Sequence, residues 1–557
     1  MRLGRRRFLA GAGASTIGAA ALLAGCGDDD DDDGGSSGDN NTSRSPSAAA
    51  GSPKRGGTLR LPVIFSSGHF DIHQFVIGYQ TSVWRAVGNG LFRTDNGTGE
   101  TVGDLAKEWE YPDSQTFVVK LKPEAKFQNK PPMNGRKLTA EDVKFSFERL
   151  ATPSADFPRN SDYQEVDRIE VVDPETIRFV MKRPYAPLIN VMTNSQAIVV
   201  APEVVEQFGD LKKGEAVMGS GPFIAERADA TSGARLVRNP DYWEEGRPYL
   251  DAAEITIVSD TQTSLSAFRA GDFDAHDIAA VDLPSFRGDS NFVIEHYLSP
   301  SYMVAGVGGP IDSGPLKDMR VRQAIDLAVD RRALGNVVYP GGDFKLSSVF
   351  GHPLWSLPTE EIEKRPGYRQ QKDDDLAEAR KLVEAAGSPT LSIQTTPQFP
   401  SFHIDRAQVY KDNLEKVGFK VEIVTDEYAA YKEKERNKRF MLSTLALGFS
   451  GDPDAPLAGC FHSKGSRNYF SWASDKYDQI LIDEQSEFDP EKRKAIVFDA
   501  QRLLLEERPV AAFNAWFVYA DIGLRKSVKG ARFGGLAPSG SNAVDLLTQA
   551  KDIWLDA

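Results

Sequence analysis

The first 57 residues constrain this chain most, because they fix where it folds and what it can rely on to fold. Arg5-Arg6-Arg7-Phe8-Leu9 opens a basic stretch, and a mild Gly/Ala/Leu-rich run follows from Phe8 to Gly25. That is the layout of a cleavable export signal, and the adjoining arginines resemble a bacterial twin-arginine signal. Leu23-Ala24-Gly25-Cys26 resembles the box cut by lipoprotein signal peptidase. Cleavage there leaves Cys26 as the first mature residue with lipid on its sulfur, and two or more acyl chains on one cysteine anchor stably. The alternative is an uncleaved membrane helix. Glycines and alanines dilute the run, and it stops at a small-residue box followed by aspartates, which disfavours that alternative. The expected location is the outer face of the cytoplasmic membrane, in a periplasm or at a cell surface, with no access to cytosolic ATP.

Residues 27–56 read as a tether. Asp28 to Asp33 is an unbroken acidic run, and Gly34 to Gly57 is built from Ser, Gly, Asn, Ala and Pro with scattered Arg and Lys. Such a segment buries too little apolar surface to offset its ordering entropy. As a flexible coil it spans roughly 30 Å root-mean-square. Six like charges repel one another and an anionic lipid surface, which suits a stand-off spacer. A calcium-binding strip is the other reading, but no glycine-turned loop arranges those carboxylates.

From about Thr58 the composition is that of a globular protein too long for one core, so two or three lobes are expected. No later stretch approaches 18 apolar residues. The whole chain carries 66 basic and 80 acidic residues, a formal net charge of −14. Loss of Arg2, Arg5, Arg6 and Arg7 with the signal makes it more acidic. That balance argues against nucleic acid and mildly favours cationic or zwitterionic ligands. There are two cysteines. With Cys26 lipidated, Cys460 has no partner, so the exported fold must rest on its core.

Strand signals dominate from Thr58 to about Asp260. Thr58 to Val63, Thr116 to Lys122, Glu175 to Lys182 and Glu254 to Ser259 carry the period-two or β-branched patterns. Thr139 with Glu141 and Asp142 marks a helix start before a run ending at Leu150. From about residue 315 helices lengthen. Val321, Ala324, Ile325 and Ala328 form one apolar stripe, and Leu376, Ala379, Val383 and Ala386 form another that stops at Gly387. Thr390 to Thr395, Ile404 to Val417 and Phe419 to Val424 read as strand, helix and strand, a βαβ unit with parallel strands. Asp489-Pro490-Glu491 starts a last long helix running to about Glu507. The expected class is α/β with an α+β lobe.

The usual marks of catalysis are missing. The Gly-x-Ser-x-Gly match Gly34-Gly35-Ser36-Ser37-Gly38 lies in the tether, with no strand or helix to make it a nucleophile elbow. There is no His-Glu-x-x-His, no Cys-x-x-Cys, no glycine followed by lysine and no Gly-x-Gly-x-x-Gly. His69 and His73 stand four apart with Asp71 between them, a spacing that would hold a metal on a helix, but the segment is rich in turn residues. No cofactor or metal is expected. An exported hydrolase with a non-contiguous acid pair remains an alternative.

The order of segments resembles the extracellular solute-binding proteins of family 5, the peptide- and nickel-binding receptors of ABC importers. Gly56-Gly57-Thr58-Leu59-Arg60 is similar to the family's first strand, and Phe70-Asp71-Ile72-His73 to its Leu-Asp-Pro-His signature, with Ile in place of Pro. Asn89-Gly90-Leu91-Phe92 and Leu138 to Phe147 follow. Gly219-Ser220-Gly221-Pro222-Phe223 and Arg238-Asn239-Pro240-Asp241-Tyr242-Trp243 come at the expected distances. Val321 to Ile325 and Ala328 to Arg331 complete the set. The resemblance implies a periplasmic-binding-protein-like fold of type II, a three-lobe, two-state hinged receptor that is not an enzyme. It begins at Gly56, after the signal read over residues 1–26 and the linker over 27–56. Lobe I takes 57–98, 217–300 and 529–557, lobe II takes 99–216, and lobe III takes 301–528. A ligand touching two lobes favours the closed state, which then docks, as a monomer, on a membrane ABC permease.

The same resemblance points to Gly448 to Pro456 as the ligand loop. Asp452 falls on the acid that binds a peptide's terminal ammonium, with Phe449, Ser450 and Gly451 beside it and Asn468 downstream. A buried amine needs a desolvated opposite charge, which a lone carboxylate supplies. Asp452-Pro453 also reads as an ordinary turn, and Phe449 equally as a core aromatic. Dipeptide binders of the family place an arginine after the strand ending at Thr395. Here Thr396-Pro397-Gln398-Phe399-Pro400 holds no cation before His403 and Arg406. That disfavours strict dipeptide specificity and leaves oligopeptides, held along their backbone, as the expected ligand. An oligosaccharide, a metal chelate or another small solute is the alternative.

Overall fold

The computed structural model describes residues 52–556 apart from 64, 65, 67, 75–78, 155, 158, 300, 301, 353, 398–402, 450, 451 and 534–542. The signal, Cys26 and most of the tether therefore lie outside the described residues. Among the described residues no helix is long and apolar enough to cross a membrane.

Four sheets carry the architecture. In the first, Thr58–Val63 runs parallel to Ala252–Ile257, and Gly233–Arg238 and Phe223–Asp229 continue it antiparallel. The second is an antiparallel meander-like sheet of Ala106–Asp113, Thr116–Leu121, Thr176–Met181 and Val166–Asp173. The third joins Ala275–Ile278, Ala515–Arg525, Phe292–Ser299 and Phe344–Ser347. The fourth orders Lys420–Thr425, Thr390–Thr395, Leu442–Phe449, Tyr302–Gly308 and Ala512–Phe513. Its first two strands are parallel across the helix Ile404–Glu415, as the βαβ pattern requires. The chain crosses between the third and fourth sheets twice. One crossing follows Phe292–Ser299 into Tyr302–Gly308, and the other passes from Ala512–Phe513 through Asn514 into Ala515–Arg525.

Two large apolar cores lie on either side of those crossings. One gathers residues from Leu59 to Tyr297 with others from Ile522 to Ile553. The second gathers Val307 to Trp516. The helix Met319–Ala328 presents Val321, Ala324, Ile325 and Ala328 to the second core, all buried. The helix Ala140–Leu150 starts where its acids suggest, with the Thr139 N–H donating to Asp142 Oδ2 at 2.8 Å. The last long helix is Pro490–Glu507, capped by Asp489, whose carboxylate accepts from the amides of Glu491 and Lys492.

The sequence motifs turn out to be scaffold. Gly219 and Gly221 lie against the end of the helix Tyr79–Val87. A Cβ on Gly221 would sit 2.4 Å from the carbonyl carbon of Val87 and 2.7 Å from the Ala86 oxygen, so only a bare backbone fits. At the same spot Ser220 Oγ donates to Asn89 Oδ1 at 3.0 Å, Asn239 Nδ2 to the Gly221 carbonyl at 3.1 Å, and Trp243 Nε1 to the Ser220 carbonyl at 2.9 Å. Three motifs far apart in sequence thus satisfy one another's polar groups, as burial demands. Asp330 caps the helix Arg331–Val338, and the buried Arg331 guanidinium pairs with Asp326 and stacks 3.7 Å over the Tyr368 ring.

Candidate functional site

Asp452 lies between the strand Leu442–Phe449 and the helix Asp454–Phe461. Pro453 pre-sets the backbone for the helix start, and the Asp452 side chain turns inward, 3% exposed. It is desolvated as an ammonium-binding carboxylate would be, but it is not lone. Arg493, on the helix Pro490–Glu507, forks onto both oxygens, with Nη1 2.6 Å from Oδ2. Asn190 Nδ2 donates to Oδ2 at 2.7 Å, and the Asp454 amide donates to Oδ1 at 2.9 Å. All four acceptor positions of the carboxylate are in use in this arrangement.

Four further side chains complete the cluster. Glu484, fully buried on the helix Asp475–Ser486, lies 2.5 Å from Arg493 Nη2. Asp454 accepts from Gln485 Nε2 at 2.5 Å and from the Tyr185 hydroxyl at 3.1 Å. Burial, reinforced by the neighbouring Asp452 charge, pushes the Asp454 carboxyl up to about 6. Burial raises Glu484 as well, against the pull of Arg493. Arg493 itself is held well above its ordinary value: burial alone would lower it, but Asp452 and Glu484 outweigh that. Its guanidinium also lies 5.3 Å from the Trp355 ring centre. Three buried carboxyl groups lie beside one guanidinium, so full ionisation would leave the cluster with an excess of negative charge.

The cluster sits where the two cores meet. Tyr185, Leu188 and Val191 belong to the first core, and Leu457, Leu481 and Val497 to the second. Besides the Asn190–Asp452 and Tyr185–Asp454 bonds, Arg183 donates to Gln485 Oε1, and the Ala186 amide donates to the Gln485 carbonyl at 2.7 Å. Tyr111 packs edge-on against Phe488, ring centres 4.9 Å apart.

The other expected site residues have different places. Phe449 ends its strand, paired with Tyr302, whereas Ser450 and Gly451 lie outside the described residues. The Asn468 amide is taken up by its own loop, donating to the carbonyls of His462 at 3.1 Å and Trp472 at 2.6 Å. His403 Nδ1 lies 3.0 Å from Thr444 Oγ1, and Arg406 donates to the carbonyls of Leu445 and Gly306 and to Tyr410. Both are buried. His73 is also buried, its Nε2 3.0 Å from the Ile198 carbonyl, and among the described residues no three His, Cys, Asp or Glu side chains are placed to hold a metal. A hollow of about 600 Å³, lined by Asp113, Thr116, Asp167, Arg168, Val180 and Lys182, shares no residue with the cluster. Asn190, Tyr185, Glu484 and Arg493 carry no local sequence signal, since their contacts span up to 269 positions.

Residues 100–468 match the bacterial extracellular solute-binding proteins, family 5, middle region, and the chain belongs to that family of binding proteins. Among its relatives is the probable di/tripeptide-binding protein 5 of Pseudomonas aeruginosa (strain UCBPP-PA14). It is 27% identical over 447 residues, covering 75% of this chain and 82% of the relative. Among solved structures, the fold is that of the periplasmic binding protein DppA from Helicobacter pylori in complex with peptide STSA. The TM-score is 0.70 and the identity 20%, over 90% of this chain and 99% of that one. AgaA from A. tumefacien R10, in complex with agropinic acid, matches with a TM-score of 0.71 at 21% identity, over 90% and 99% of the two chains. The fold class is therefore the mixed α/β fold of periplasmic binding proteins, as expected from the sequence.

Proposed function

We propose that this protein is the lipid-anchored, extracytoplasmic substrate-binding component of an ABC importer. It captures peptides in a cleft between lobes and hands them to a membrane permease. Membership of a family whose relatives are peptide-binding proteins supports the class of ligand. Cys26 would carry the lipid, and the lobes would follow the boundaries given above, hinged at the two strand crossings.

The observation that carries the ligand assignment is the surplus of carboxyl groups over cations around Asp452. Opening at the seam withdraws Asn190 and frees one acceptor position on Asp452 Oδ2. A ligand ammonium entering there supplies the positive charge that three carboxylates and one guanidinium lack. On this reading Phe449, Ser450, Gly451 and Asn468 belong to the ligand-binding segment beside Asp452. The test is isothermal titration with tri- to pentapeptides and their N-acetylated forms. A hydrogen bond to a charged group contributes about 1.5–3 kcal/mol, so acetylation is expected to weaken binding about ten- to a hundred-fold. Equal affinity for both forms removes the ammonium role. AgaA, complexed with agropinic acid, shows that the same scaffold takes a non-peptide solute, and a chain that binds such solutes but no peptide would favour that second reading.

A further inference from the structure

The seam holds more than a candidate ligand contact. Arg183, Tyr185, Ala186 and Asn190 on one side bond to Asp452, Asp454 and Gln485 on the other, so the two halves are latched directly to each other. Behind the latch both Glu484 oxygens are buried without a hydrogen-bond partner, leaving only the ion pair to Arg493. The remaining titratable and charged groups that face the cluster are few. Tyr185 and Tyr477 adjoin Asp454, and Tyr477 also faces Glu484. Tyr111 faces Arg493. Asp162, held by Arg159, faces Tyr185, and Arg183 is paired with Glu165. Among the described residues Arg493 is the cation that pairs with these carboxyl groups.

Three carboxylates cannot all stay ionised beside one guanidinium in a water-poor seam, because each uncompensated buried charge costs several kcal/mol. We propose that shutting of the receptor without ligand is coupled to proton uptake by Asp454 and Glu484, the proton standing in for a ligand cation. This rests on the reading of the protein as a receptor that opens at this seam. The direction follows from linkage. Opening the seam takes Arg183, Tyr185 and Ala186 away from Asp454 and Gln485, so on this proposal water reaches Asp454 and, behind it, Glu484, and both return toward the ordinary carboxylate range. In the shut form burial raises Asp454 to about 6 and Glu484 to about 8. Shutting is therefore favoured fully below the ordinary range and is progressively lost as pH rises through about 6 and about 8.

The test is a spin-label distance measurement on the ligand-free full chain carrying Cys26→Ser, Val172→Cys and Ile482→Cys. Both label positions are exposed, and Cys460 is buried. The separation should be short at pH 5 and shift to longer values by pH 9, with the closed population falling by about tenfold or more. In a Glu484→Gln background the short separation should persist well above pH 7. Tyr185→Phe keeps every carboxylate and removes one bond across the seam, so it should open at lower pH than its parent. A separation that ignores pH in the parent, or an unchanged response in both variants, overturns the proposal. Peptide titration on the same samples separates the two ideas. A pH response without peptide binding keeps the latch and removes the peptide reading, and binding without a pH response does the reverse.

Discussion

Arg493→Met is expected to destabilise the protein by about 3–5 kcal/mol at pH 7.5, the cost of leaving buried carboxylates without their cation. Among the described residues Arg493 is the one guanidinium paired with Asp452 and Glu484, both less than 4% exposed. Methionine fills much of the same volume, so packing against Trp355 changes less than charge. The loss should shrink at pH 5. Without the guanidinium, which now holds them down, Glu484 and Asp454 rise further, and their protonation then relieves the repulsion. Thermal unfolding of parent and variant at the two pH values checks this. An equal deficit at both would mean that packing, not charge, sets the role of Arg493.

Arg149→Leu is expected to cost a similar ~3–5 kcal/mol, by the same physics at a different place. Asp71 is fully buried and accepts both arms of the Arg149 guanidinium, at 2.9 and 2.5 Å, together with the amides of His73 at 3.2 Å and Leu211 at 3.3 Å. Burial pushes the Asp71 carboxyl up, but Arg149 and these amides more than offset it and hold the group below the usual range. The pair therefore stabilises the fold above the ordinary aspartate pKa, and that contribution is lost as pH falls below it through the lowered folded-state value. Asp71→Asn combined with Arg149→Leu should recover part of the loss, since no bare charge is then buried. A double variant no more stable than Arg149→Leu alone would show that Arg149 acts through its contact with Phe157 instead.

These two sites show what was legible in the sequence. The Asp71–His73 segment and the helix carrying Arg149 both stood out as family motifs, and the structure gives their physical reason: each supplies what the other must bury. Gly221, Asn89 and Trp243 are a second such meeting. Helix and strand signals held because caps and apolar stripes are local, as at Asp489 and at Val321 to Ala328. The seam was not legible in this way. Asp452 could be singled out by its loop, but its partners Asn190 and Arg493 come from two other segments, and Glu484 on the far side of Arg493 from a third. A carboxylate's partners depend on tertiary packing, which neither periodicity nor spacing encodes. Residues that diagnose the family here maintain its scaffold, which is why the ligand is harder to read than the fold.

Peptide capture can be read by native mass spectrometry of the purified protein after incubation with a mixed tri- to nonapeptide library. The expected spectrum holds adducts that are lost on denaturation and that sequence as peptides with free amino termini. A chain that stays adduct-free across the library, or retains only non-peptide solutes, would contradict peptide capture.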